Sequence, residues 1–162
     1  MSPNGTTVAA LAPERFAEAA ALVASQPLFE RYGTTAASLE RAWHALAATE
    51  ALVLGALDEG RVIGVAWLVP RGAFARSPYL RLLAVAPDAA GRGVGGLLME
   101  AGEGWAFARA DDLFLLVNED NAAAIGFYER RGYRAIGHVH DYVRPGLHET
   151  LMRKRRPSSP TG

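Results

Sequence analysis

The chain has 162 residues, half of them apolar, with 17 basic and 17 acidic side chains and no cysteine. That length and apolar content suit one domain with a sizeable core and exclude an intrinsically disordered chain. Zero formal net charge gives no pull toward nucleic acid or an anionic membrane, and the missing cysteine excludes a thiol nucleophile, a cysteine-based zinc site and disulfides.

No apolar run reaches ~18 residues, so no membrane span is expected. The start, Met1-Ser-Pro-Asn-Gly-Thr-Thr7, lacks the basic and apolar regions of a secretory signal, so a cytoplasmic protein is expected. Val8 to Leu11 reads as a first strand, and Pro13 suits a first helical position. Phe16, Ala19, Ala20 and Val23 follow at helical spacing. Leu28 to Gly33 reads as a loop carrying Phe29 and Tyr32. A second helix is predicted over Ala36 to Glu50, with Leu39, Trp43 and Leu46 on one face.

Two strand-like runs follow, Ala51 to Leu57 and Arg61 to Val69, joined by the hairpin signal Asp58-Glu59-Gly60. A Pro-, Gly- and Arg-rich loop leads to a third run, Tyr79 to Val85. Val94, Leu97, Leu98, Ala101, Trp105 and Ala108 then recur at helical spacing. Leu113 to Val117 is continuously apolar, as a strand buried on both faces would be. Asn121 is a good N-cap for a helix to Arg131, and Gly132 a good stop. Tyr133 to Val143 and Leu147 to Arg153 read as a closing strand pair, turned at Pro145-Gly146. One α/β domain over 1–154 is predicted, with 155–162 as a flexible basic and Pro/Ser-rich tail.

The densest signal lies between the third run and its helix. Gly91-Arg92-Gly93-Val94-Gly95-Gly96 puts glycine-rich backbone at a helix N-terminus, where free N–H groups and the helix dipole favour a phosphate. It also contains G-x-G-x-x-G, a weak dinucleotide signal in a chain with 17 glycines. Ala86-Pro-Asp-Ala-Ala90 separates the strand from the first glycine, and an antiparallel hairpin comes before it. A doubly wound dinucleotide fold has neither feature. Simple helix-on-strand packing by the glycines is the remaining alternative.

This stretch resembles the acetyl-CoA-binding motif of the GCN5-related N-acetyltransferases (GNAT). Asn121-Ala-Ala-Ala-Ile-Gly-Phe-Tyr-Glu-Arg-Arg-Gly-Tyr133 resembles that family's second signature, Asn-x-x-Ala-x-x-x-Tyr-Glu-x-x-Gly-Phe. The resemblance covers roughly residues 6 to 154. It implies a mixed sheet with an antiparallel N-terminal meander, a splayed parallel central strand pair and helices on both faces. Acetyl-CoA is the implied cosubstrate. Its pantetheine arm would lie along Leu83, Ala84 and Val85, and its pyrophosphate on the amides of Gly91, Arg92, Gly93, Val94, Gly95 and Gly96. Arg92 can add charge or simply be solvated. Ala90 stands where the family often has Gln or Arg.

Asn121 matches the family's pantetheine-contacting residue, and Tyr128 its cofactor-side general acid. A phenol of pKa near ~10 stays protonated at neutral pH and can donate to a departing thiolate. The implied reaction is direct attack of a neutral amine on the thioester through a tetrahedral intermediate, its oxyanion near a backbone N–H at Val85. The strand Tyr79-Leu-Arg-Leu-Leu-Ala-Val85 lacks the base glutamate many members carry, and Leu116 stands where N-terminal acetyltransferases often have Glu. Glu30, His138, His140, Asp141, Glu149 or a water wire are left as bases.

The acceptor site is expected around Phe29, Tyr32, His140 and Tyr142, with Arg71, Phe74 and Arg76 nearby. A small-molecule amine or amino-acid-like acceptor is expected, with no metal and no nucleic-acid or membrane partner, from a monomer or homodimer. The alternatives are a non-catalytic acyl-CoA-binding module and a protein N-terminal or lysine acetyltransferase. A dinucleotide-dependent oxidoreductase stands third.

Overall fold

Continuous burial from Val62 to Leu68 shows how the sheet is covered. Val65 and Trp67 join one apolar cluster while Ala66 and Leu68 join the other, as a strand packed on both faces requires. In the computed structural model, which describes residues 5–159, the side chain of Ala47 excepted, twelve main elements follow. They are β1 (Thr7–Ala10), α1 (Phe16–Ala24), α2 (Pro27–Arg31), α3 (Ala36–Ala45), β2 (Leu52–Asp58), β3 (Arg61–Ala73) and β4 (Ser77–Val85). Then come α4 (Val94–Phe107), β5 (Asp112–Asn118), α5 (Ala122–Arg130), β6 (Arg134–Val139) and β7 (Glu149–Arg155).

The strands form one sheet in the order β1-β2-β3-β4-β5-β7-β6. Among them only β4 and β5 pair in parallel, the antiparallel meander and parallel centre expected of the fold. This is not a doubly wound sheet, and the dinucleotide reading falls with it. No helix among the described residues is long and apolar enough to cross a membrane. The leader reading at Met1–Asn4 and the tail reading at 160–162 lie outside the described residues.

Helices cover both faces. Phe16, Ala19, Ala20 and Val23 of α1, with Leu39 and Trp43 of α3, are buried against one face, the stripe their spacing predicts. On the other face the buried row of α4 is Val94, Leu98, Met99, Gly102, Glu103 and Ala106. The predicted stripe is therefore displaced, with Ala108 exposed and Leu97, Ala101 and Trp105 only half-buried. Two non-hydrophobic residues explain the shift. Gly102 lets the helix lie against Leu68, whose Cδ1 is 3.3 Å from where a Cβ would stand. Glu103 is buried because Arg131 (3.1 Å), Lys154 (2.9 Å) and the Tyr133 hydroxyl (3.2 Å) surround its carboxylate. Hydropathy cannot read a charge that is buried by its partners.

Other boundaries also moved. Pro27–Arg31 is a helical turn rather than a loop, and the expected loop after Val69 is strand as far as Ala73. The expected tight turn at Pro145-Gly146 is a longer loop over 140–148. The Asp141 carboxylate accepts from the Gly146 N–H at 2.6 Å, replacing a ladder bond. β7 runs on to Arg155, and the Arg156 N–H donates to the Asp111 carbonyl at 2.7 Å, so the ordered chain passes the predicted boundary.

Leu98 is fully buried between α4 and the sheet. Leu98→Ala is expected to cost about 2–5 kcal/mol, read as a lower urea midpoint with an unchanged m-value.

Candidate active site

A β-bulge opens the site. Leu82 pairs with Trp67 and Leu80 with Leu68, so Arg81 is the extra residue in β4. A bulge bends its strand and sharpens its twist. Pairing with β5 is confined to Tyr79–Phe114 and Leu80–Leu115, and it stops where the bulge sits. Beyond it, β4 runs to Val85 and β5 to Asn118 without meeting.

The strand's parity decides what faces the gap. The Ala86 N–H donates to the Ile63 carbonyl at 2.9 Å, so Ala84 and Ala86 turn their main chain toward β3. Leu83 and Val85 therefore turn theirs toward the opening. The Val85 carbonyl already accepts from the Gln26 side-chain amide at 3.0 Å. The result is a cleft of about 630 Å³, walled by Leu83 and Arg81 of β4, Leu116 and Asn118 of β5, and Asn121 and Tyr128 at α5. Phe29, Tyr32 and Tyr142 line it too, as expected. His140 does not: it is exposed and meets the His148 ring edge to face, with centroids 5.0 Å apart. Arg71, Phe74 and Arg76 are also outside the lining.

The glycine loop continues from the end of β4. Gly91 and Gly93 hold φ of +76° and +79°, left-handed values that only glycine adopts freely. Gly93 caps α4. The N–H groups of Gly91, Gly93, Val94, Gly95 and Gly96 have no main-chain acceptor among the described residues. They form an unpaired donor set at a helix N-terminus, which suits a phosphate group. Arg92 is committed elsewhere, to Asp58 at 2.7 Å. Across the gap, Asn121 Oδ1 accepts from the Ala124 N–H at 3.1 Å, which caps α5 and leaves the side-chain NH₂ free.

A model of the acetyltransferase (GNAT) family matches residues 17–133. The chain belongs to the GNAT acetyltransferases. A mycothiol acetyltransferase of Clavibacter michiganensis subsp. michiganensis (strain NCPPB 382) is 41% identical over 86 residues, 52% of this chain and 27% of that protein. The chain thus spans about a quarter of that relative's length. Among solved structures, Ard1 from Thermoplasma volcanium superposes with a TM-score of 0.79 at 22% identity, covering 95% of this chain and 99% of that one. A chimera of the spermidine N-acetyltransferase SpeG from Vibrio cholerae and hSSAT gives 0.78 at 19% identity, with 93% and 95% covered. At such identities these structures show the shared GNAT fold alone.

Of the acidic and histidine side chains named as bases, only Glu149 lines the cleft. Glu30, His138, His140 and Asp141 are exposed. Glu149 opens β7 opposite Asn118 of β5 and is buried, 3% exposed. The Tyr32 hydroxyl donates to its Oε1, while Asn118 Nδ2 donates to the Tyr32 oxygen at 3.1 Å. Its Oε2 has no hydrogen bond to the protein among the described residues. Burial pushes the Glu149 carboxyl above the usual range, against the lowering effect of the Tyr32 bond. Tyr32 is pushed up to about 12, by burial first and then by the carboxylate beside it. Tyr128, 8% exposed, is raised by burial and, less, by Tyr79, so it is a neutral phenol at neutral pH. Sequence reasoning placed Glu149 among several bases but had no signal for its burial, which depends on β7 pairing and on Tyr32.

A raised folded pKa means the native state holds the Glu149 proton longer than the unfolded chain does. Stability therefore falls as pH rises from the unfolded carboxylate value, near ~4.3, through the folded one. Glu149→Gln is expected to unfold at a higher temperature than the parent at pH 8, with the difference closing below about pH 4. Thermal melts across pH check this.

Proposed function

We propose that the chain transfers the acetyl group of acetyl-CoA to a primary amine of a small-molecule or amino-acid-like acceptor. The observation that carries this reading is the buried, half-satisfied carboxylate of Glu149 in a cleft that also holds the Tyr128 phenol. A base and an acid line one opening, and the chain needs no nucleophile of its own. The donor supplies an activated thioester carbonyl. The main chain of Leu83 and Val85 on the side away from β3, the NH₂ of Asn121 and the amides of Gly91, Gly93, Val94, Gly95 and Gly96 are the groups that would hold it, while the Arg92 N–H, expected among them, already donates to the Ala89 carbonyl. They fit, since each is a polar group without a full set of protein partners.

Glu149 takes the proton of the attacking amine through its free Oε2. Tyr32 fixes the other oxygen and so the direction of the lone pairs. A cleft-facing N–H of β4 offers a hydrogen bond to the oxygen that gains charge as the carbonyl is attacked. Tyr128 donates its proton to the departing thiolate. Burial raises the phenol above its ordinary value, so Tyr128 is a neutral O–H donor facing the cleft. Glu149 in the cleft weighs against the non-catalytic binding module, whose motives are the missing base on β4 and Ala90 in the place of a Gln or Arg.

Thermal-shift titration tests donor binding: CoA thioesters are expected to raise the unfolding temperature and NAD is not. Thiol release over a panel of amines and peptides then tests transfer, and donor binding without release from any amine would sink the enzyme reading. Tyr128→Phe is expected to lower kcat about 10²-fold with little change in donor affinity. Glu149→Gln is expected to remove the acidic limb of the kcat/KM profile, a limb that lies above the ordinary carboxylate range because burial raises this group. An unaltered profile would move the base elsewhere.

A further inference from the structure

Arg81 is the bulged residue at the point where β4 leaves β5, and it lines the cleft. Its guanidinium carbon lies 4.7 Å from the centroid of the Trp67 ring. Stacking of this kind fixes the plane of the group while leaving its in-plane N–H donors unused. Among the described residues no carboxylate lies within ion-pair distance of Arg81. Other arginines are also without an ion pair among the described residues, and Arg109 lies over Trp105 in the same way. What distinguishes Arg81 is its place: it is the arginine in the lining of the cleft.

The opposite charge is close by. Glu149 lines the same cleft as Arg81, with Tyr79 also on its wall, so one opening presents both a cation and an anion. A molecule carrying an amine and a carboxylate matches that pair, amine toward Glu149 and carboxylate toward Arg81. A simple diamine would place its second positive charge against Arg81.

We propose that Arg81 is a specificity residue that binds a carboxylate of the acceptor, which makes the preferred acceptor an amino acid or amino-acid-like amine with a free acid group. This rests on reading the cleft as the acceptor site. A bidentate guanidinium–carboxylate pair gives affinity and fixes orientation, so the acceptor's amine is aimed as well as held. Arg81→Lys keeps the charge but loses the fork, and Arg81→Gln loses both.

Two measurements test it. In the first, amino acids are compared with their own carboxamides as acceptors, for the parent, Arg81→Lys and Arg81→Gln proteins. The ratio of kcat/KM for acid over amide is expected to fall at least about tenfold in Arg81→Gln, through KM, with Arg81→Lys between. Using a ratio of ratios cancels the different basicities of the two amines.

In the second, N-acetylamino acids and their amides are titrated into the CoA-loaded proteins by calorimetry, which needs no turnover. The acid is expected to bind the parent at least about tenfold more tightly than the amide, and Arg81→Gln to abolish that difference. Thermal melts check that the variants remain folded. An acid-over-amide preference that is absent from the parent, or unchanged in Arg81→Gln, overturns the assignment. Failure of donor binding in the thermal-shift titration would instead strike the acetyl-transfer reading, and the same acid-against-amide calorimetry repeated without CoA reports on Arg81 separately.

Discussion

The structure turns on a parallel strand pair that stops after two residue pairs. Backbone N–H and C=O groups need partners, and a buried group without one costs about 1–3 kcal/mol. By parting from β5 after Leu80, β4 leaves the main chain of Leu83 and Val85 without a neighbouring strand. A sheet tolerates this only where the gap is open to water or filled by something with matching donors and acceptors. Gln26 supplies part of that match at the Val85 carbonyl. The remaining unpaired groups make the gap a binding surface.

The Arg81 bulge links this backbone defect to the side chains around it. It bends β4 away from β5 and so sets the width of the cleft. It also stands Arg81 on Trp67 at the cleft wall. On the far side, β5 keeps a full ladder with β7, from Asp112–Arg155 to Asn118–Glu149. That ladder brings Glu149 to the open end of the gap. One wall is therefore frayed and the other rigid, and the carboxylate sits on the rigid one, where its direction is fixed.

On the proposed reading, the donor half of the site carries local sequence marks and the acceptor half does not. The glycine loop, Asn121 and Tyr128 lie in two local segments, each a strand or helix end whose chemistry is set by neighbours in the chain. Gly91 and Gly93 need left-handed backbone, and that need is visible as glycine. Asn121 caps the helix it opens. Glu149 has no such local mark. Its burial depends on Asn118, 31 residues earlier and paired with it across the sheet, and on Tyr32, 117 residues away. The short helix that carries Tyr32 is too brief for a periodic pattern, and it reads as a loop. The shifted face of α4 has the same cause, because Glu103 is buried by Arg131 and Tyr133 from the connection between α5 and β6 and by Lys154 of β7.

Those long-range contacts also run through one short segment of chain. Gln26 stands at the junction of α1 and α2, and α2 leads directly to Tyr32. One end of this short segment holds the main chain of β4 and the other holds the carboxylate of Glu149. A displacement of the Val85 carbonyl from Gln26 must be absorbed within residues 26 to 32, which include only one turn of helix. On the proposed reading, the segment ties the strand beside the donor to the carboxylate beside the acceptor, and it holds Glu149 through Tyr32 from outside the sheet.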